Sequence, residues 1–181
     1  MRAKLKTLQP TIHHDSRRGA RGRKTMSADW TTVFPTDPFW VPSRDRADAA
    51  AAVFGCLVDG ESDVEVRTVK QLLFESAGAD FGTASCPMCA AVVAQNPEDM
   101  GWFTGQLDRV FAELESSRTL QATMPCCGVS VSMNDVLYDP AAGFACWSVS
   151  VRGARYAVGD RERALVEAAL GHRVRVVELR V

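Results

Sequence analysis

Between Arg44 and Val58 the apolar side chains Ala47, Ala50, Ala51, Phe54 and Leu57 recur at a spacing that lays one stripe along a helix. Ser43 stands where an N-cap is wanted and Gly60 lies just past the end. The period then changes: Val64, Val66 and Thr68 alternate with Glu65, Arg67 and Val69, the pattern of a half-buried strand. Upstream, Phe39, Trp40 and Val41 form a short apolar run closed by Pro42, which predicts an edge strand. The C-terminal part repeats this order. Ala145, Trp147, Val149 and Val151 alternate with Cys146, Ser148, Ser150 and Arg152, predicting a strand with one buried face. Gly159 and Asp160 open a helix through Leu165, Val166, Ala169 and Leu170, and Gly171 ends it. A last strand runs from Val174 to Val181, with a change of phase at Val176 and Val177 that reads as a bulge. Two strand, helix, strand units predict an α+β fold, a ferredoxin-like split βαβ sandwich.

The stretch from about 81 to 139 does not fit either unit and reads as an insert between them. It holds one helix, opened by Asn96, Pro97, Glu98 and Asp99 and striped by Met100, Phe103, Leu107, Val110, Phe111 and Leu114, a face expected in the core. It also holds four of the chain's six cysteines.

Composition adds two things. At 181 residues and 46% hydrophobic, the chain is long enough to bury roughly 70% of its unfolded surface, so its cysteines are not needed as disulfide staples. The net charge of -1 conceals an asymmetry: Met1 to Ala28 carries eight Lys or Arg against Asp15 alone, leaving the rest strongly acidic. Residues 1–28 are therefore expected to be a basic, disordered tail, and residues 29–181 one domain. No secretory apolar run stands near the start, and the longest apolar run, Ala49 to Val58, is about half what a bilayer crossing needs. A cytoplasmic protein with reduced thiols and no membrane attachment is the expectation, its acidic body arguing against broad phosphate contact with nucleic acid.

The candidate chemistry is carried by sulfur. Cys86 and Cys89 form C-P-M-C, and Cys126 and Cys127 stand in M-P-C-C-G, with 36 residues between the two pairs. Two pairs at the ends of an excursion can give four thiolates to one tetrahedral Zn²⁺. Pro87 pre-sets the first turn and Gly128 allows a left-handed residue after the second. Aligning the two motifs places Met124 against Cys86 and Cys127 against Cys89, so Cys126 must supply the sulfur that Met124, a poor zinc ligand, cannot. Were Cys126 to point away, Cys146 or His172 would be the substitute. A second reading is redox: C-P-x-C opening a helix-like Ala-Ala-Val-Val run resembles the active-site motif of glutaredoxins, with Cys86 as nucleophile and Cys89 as resolving thiol. A vicinal disulfide at Cys126 and Cys127 and inert buried thiols are further readings. Cys56 is expected in the core of the first helix, and His172 at a helix end, where a cation favours the dipole.

The segments CPMC, PCCG, MNDVLYD, GFACWSVSV and ALGHRVRVVELRV resemble those of a group of small uncharacterised bacterial proteins with a zinc-ribbon-like insert. The resemblance spans Phe39 to Val181. It implies Cys86, Cys89, Cys126 and Cys127 as structural zinc ligands and implies no reaction. Taken together, the sequence predicts a binding or adaptor module with an unidentified protein partner. The alternatives are a thiol-disulfide oxidoreductase and a nucleic-acid-binding protein using the basic arm.

Overall fold

The computed structural model describes residues 30–58, 64–78, 81–95, 100–113, 119–154 and 156–179. Within them the protein is mixed α and β, with three helices and antiparallel sheets. The basic tail, the Asn96 to Asp99 cap, Leu114, Gly60 and Val181 lie outside the described residues.

The main sheet has four strands, β1 (Trp30–Pro35), β2 (Val64–Glu75), β8 (Gly143–Arg152) and β9 (Val174–Leu179), in the order β2-β8-β1-β9. Every pairing is antiparallel. Helix α1 (Arg44–Val58) joins β1 to β2, and α3 (Asp160–Leu170) joins β8 to β9. Both pack on the same face of the sheet: Phe54 and Val58 of α1, Val166 and Leu170 of α3, and Val33, Trp147, Val149 and Val151 of the strands form one buried cluster. Gly171, at φ 75°, ends α3 in the left-handed conformation, and its N–H bonds the Glu167 carbonyl.

The opposite face carries the insert, built from β3 (Thr83–Ser85), β4 (Val92–Ala94), α2 (Met100–Glu113), β5 (Gln121–Thr123), β6 (Ser130–Ser132) and β7 (Leu137–Asp139). Its core joins Phe103 and Val110 of α2 to Leu72, Phe144 and Cys146 of the main sheet, with Met100 and Leu107 packed against them, so that part of the α2 stripe is core as expected, whereas Phe111 is exposed. Asn134 fastens insert to sheet. It is 4% exposed, its amide donates to the Thr36 carbonyl at 2.8 Å, and its side-chain oxygen accepts from Phe144 N–H at 3.0 Å and Arg175 Nη1 at 3.2 Å. Gly143 sits so close that a Cβ there would meet Arg175 Nη1 at 2.6 Å and Asn134 Oδ1 at 3.0 Å.

Four expectations need correction. The first strand is Trp30–Pro35, not Phe39 to Val41: Asp37 caps a turn there by accepting the Phe39 N–H at 3.0 Å. Phe39 and Trp40 instead drop into the two cores on either side of the sheet. Strand β8 is buried on both faces, because its alternate residues Cys146, Ser148 and Ser150 lie beneath the insert or are spent in hydrogen bonds. There is no bulge at Val176 and Val177, since the β1–β9 register runs unbroken from Leu179 to Val174 and the two valines serve opposite faces. Cys56 is exposed, lying off the Ala47, Ala50, Phe54 and Val58 face that α1 buries.

Candidate metal centre

Each cysteine motif forms the tip of a hairpin. Strands β3 and β4 hold the first, with Ala84 opposite Ala94 and Ser85 opposite Val92. Strands β5 and β6 hold the second, with Gln121, Ala122 and Thr123 opposite Ser132, Val131 and Ser130. Helix α2 pins the second hairpin: Trp102 Nε1 donates to the Thr123 carbonyl at 3.2 Å and Arg109 donates to that of Gln121.

The two tips are closed by the same hydrogen bonds. At the first, Cys86 N–H donates to Ala91 C=O and Ala90 N–H to Cys86 C=O, both at 2.9 Å. At the second, Met124 N–H donates to Val129 C=O and Gly128 N–H to Met124 C=O, again at 2.9 Å. The residue after the last cysteine of each is left-handed, Ala90 at φ 59° and Gly128 at φ 71°. A shared turn carries the chain round so sharply that adjacent side chains need not point apart, as they would in a strand. Met124, 1% exposed, is turned into the insert core, and Cys126 takes up the sulfur position that Met124 leaves empty.

The four sulfurs of Cys86, Cys89, Cys126 and Cys127 all lie within 4.8 Å of one another. The contacts are 3.7 Å for Cys86 with Cys127, 3.4 Å for Cys89 with Cys126 and 3.9 Å for Cys126 with Cys127. A tetrahedral centre with metal–sulfur bonds of about 2.3 Å has sulfur–sulfur edges of about 3.8 Å, so these spacings suit four ligands of one ion. They are too long for disulfides, whose bond is about 2.05 Å, which removes the vicinal-disulfide reading. None of the six cysteines is disulfide-bonded.

The electrostatics prepare the thiols unequally. At Cys86 burial opposes the thiolate, yet the N–H groups of Met88 and Cys89, with the Cys89 and Cys127 thiols, bring its pKa from 9.0 down to about 7. Cys126 is pushed up to about 12, by desolvation and then by the thiols of Cys89, Cys86 and Cys127. At Cys127 the Val129 N–H pulls downward, but desolvation and the Cys86 thiol leave the group raised.

The substitutes are not required. Cys146 is 4% exposed among the apolar side chains of the insert core. His172 packs against Trp40 in a tilted pair with ring centroids 4.5 Å apart, and its Nδ1 meets the Arg173 carbonyl at 2.8 Å. The redox reading loses its structural premise: Ala91 to Ala94 leads into β4, not a helix, so no helix terminus stabilises a Cys86 thiolate. Sequence reasoning missed the hydrogen-bonded role of Asn134, for which the only signal was a polar residue amid Met133 and Val136.

No helix among the described residues is long and apolar enough to cross a membrane. In comparisons with family models, curated proteins and solved structures, nothing matches the chain.

Proposed function

We propose that the protein binds one Zn²⁺ through Cys86, Cys89, Cys126 and Cys127. The ion is a structural clamp that closes a zinc-ribbon-like insert on a ferredoxin-like split βαβ sandwich. The observation that carries this is the spacing of four sulfurs from two hairpins around a common centre. An all-thiolate donor set favours soft or borderline ions, Zn²⁺ among them, and four thiolates fill its tetrahedral shell. With no position left for water, the ion's work is to hold the two hairpin tips together.

The sandwich reading is supported by the order of long strands and helices, strand, helix, strand, strand, helix, strand, and by the sheet order β2-β8-β1-β9 with both helices on one face. The insert lies between the two halves and covers the other face. A module of this kind, with a rigid metal-braced surface, serves as an adaptor for a protein partner in the cytoplasm, where its thiols stay reduced.

The test is metal stoichiometry by native mass spectrometry on wild type and Cys126→Ser. The expected result is one zinc per chain in the first and loss of tight binding in the second. Iron at the same stoichiometry would keep the site and overturn the ion; no metal in wild type purified without chelator would overturn both.

A further inference from the structure

Strand β2 is an open edge of the main sheet. In the order β2-β8-β1-β9, no strand among the described residues pairs with its far side. From Val64 to Thr68 it runs in unbroken register with β8, and beyond Thr68 the register slips. Five regular residues therefore form a free edge, and Val64, Glu65, Val66 and Thr68 among them are exposed. An edge of this kind offers backbone N–H and C=O groups to any strand that can lie beside it, and folds usually blunt it. Here apolar side chains are left in the open. Val64 and Val66 are 39% and 41% exposed, although they stand opposite Val151 and Val149, which are fully buried in the core beneath the helices. Glu65 and Arg67 alternate with them on the other face, opposite Ser150 and Ser148. Both charged side chains are about half open. They approach each other only to 3.9 Å, while Arg67 Nη2 meets Glu75 at 3.3 Å.

The run Val-Glu-Val-Arg-Thr is complementary to itself. Two copies of an antiparallel strand related by a two-fold axis through the sheet must place one residue opposite its own counterpart and exchange the neighbours on either side. Centred on Val66, the pairing sets Val66 against Val66, Glu65 against Arg67, Arg67 against Glu65 and Val64 against Thr68. Centred on Glu65 or on Arg67, it sets like charges face to face, which is destabilising. No other centre brings Glu65 opposite Arg67. The far edge of the sheet, β9, has no such register: Arg175 and Glu178 are three residues apart, an odd spacing that never places one opposite the other. Arg175 is also spent on the Ala142 and Asn134 carbonyls.

We propose that the protein pairs with a second copy of itself through β2, antiparallel and centred on Val66. Two four-stranded sheets join into one of eight strands, with α1 and α3 of both copies on the same face. The strand hydrogen bonds and the covered valines supply the affinity. The two ion pairs choose the register, since half-exposed pairs are each worth about 1 kcal/mol or less. Five residues a side bury less than the roughly 1,200 Å² of a tight complex, so the dimer is weak and depends on concentration. The contact is isologous and uses up the edge, so association through it stops at two. It shares no residue with the cysteine cluster and stands whether or not an ion is bound there.

The test is sedimentation velocity on the full chain, in reducing buffer so that the exposed Cys56 cannot link copies. A monomer–dimer equilibrium with a midpoint between about 10 μM and 1 mM is expected. Val66→Lys places two ammonium groups face to face at the centre of the contact and is expected to leave only monomer over that range. Its thermal unfolding midpoint when dilute is expected to hold, because the side chain is exposed in the single chain. Glu65→Lys and Arg67→Glu each oppose like charges, and each is expected to weaken the dimer at least about ten-fold. An equimolar mixture of the two restores opposite charges at both positions and is expected to associate about as well as wild type. Should Arg67→Glu fail to fold beside Glu75, Val66→Lys still decides. Wild type that stays monomeric up to about 1 mM, a dimer that Val66→Lys leaves intact, or a mixture of folded charge variants that associates no better than either alone would each overturn the proposal.

Discussion

Met124 and Cys86 occupy the same position in two turns closed by the same pair of hydrogen bonds, and both are buried in the insert core, yet only the Cys86 sulfur belongs to the four-sulfur cluster. The fourth sulfur of the cluster comes from two residues along, at Cys126. The site is thus a symmetric scaffold with one asymmetric corner, and that corner can be tested.

Moving the thiol back should restore the symmetric arrangement. Cys126→Ala alone is expected to weaken zinc binding by several orders of magnitude, and adding Met124→Cys to recover most of it. Shortening a buried Met is expected to cost about 2 kcal/mol of stability. Competition with a chromogenic chelator measures the first effect and thermal unfolding the second. If the double variant binds no better than the single, the equivalence of the two turns has no bearing on ligation.

Ala90 holds a left-handed conformation that an L-residue adopts at a cost of about 1 kcal/mol, and Gly128 fills the equivalent place without it. Ala90→Gly is expected to be neutral or to raise stability by up to about 1 kcal/mol, whereas Gly128→Val should lower both stability and zinc affinity. Denaturant midpoints on the zinc-loaded chain decide this.

Acid should release the ion. A thiol must lose its proton to bind, and Cys126, near 12, and Cys127, raised above 9.0, both carry protons at neutral pH. Each displaced proton makes affinity fall ten-fold per unit as pH drops, so two give at least about 100-fold per unit between pH 8 and 6. A slope of one decade or less, measured by competition titration, would mean that one of these thiols stays protonated in the complex.

Chelation should act locally before it acts globally. If the sulfurs hold an ion as proposed, its removal takes away the bonds that tie the two hairpin tips, so amide exchange is expected to accelerate first in β3 to β6 while β1, β8 and β9 stay protected. Exchange that rises uniformly across the chain would show that the ion supports the whole fold.

Asn134→Ala is expected to cost about 2 to 4 kcal/mol, because it strands the Phe144 N–H and the Thr36 carbonyl in a buried region, while Arg175 keeps its bonds to the Ala142 and Asn134 backbone carbonyls. Asn134→Asp tests the same point: it keeps the acceptor toward Arg175 and loses the donor to Thr36, so it should cost less.

What could be read from the chain was what local pattern encodes. The caps of α3 at Gly159 and Gly171, the alternation that marks β8 and the sulfur that Cys126 lends its turn are all properties of a few neighbouring residues. What escaped depended on partners far along the chain. Trp30–Pro35 is buried on both sides, so its Thr and Val residues show no polar alternation to betray a strand. Cys56 belongs to an apolar run whose buried side only the packed sheet selects. For Asn134, nothing in the neighbouring sequence announces its partners Thr36 and Arg175.

The two-faced burial of β8 makes the insert inseparable from the rest. Trp147, Val149 and Val151 belong to one cluster and Phe144 and Cys146 to the other, on a single strand. Excising residues 81–139 would leave that underside bare to water, a sticky surface that invites aggregation. The braced segment is a second half of the hydrophobic interior, not a detachable accessory, and a shortened chain would need a new apolar cover to stay in solution.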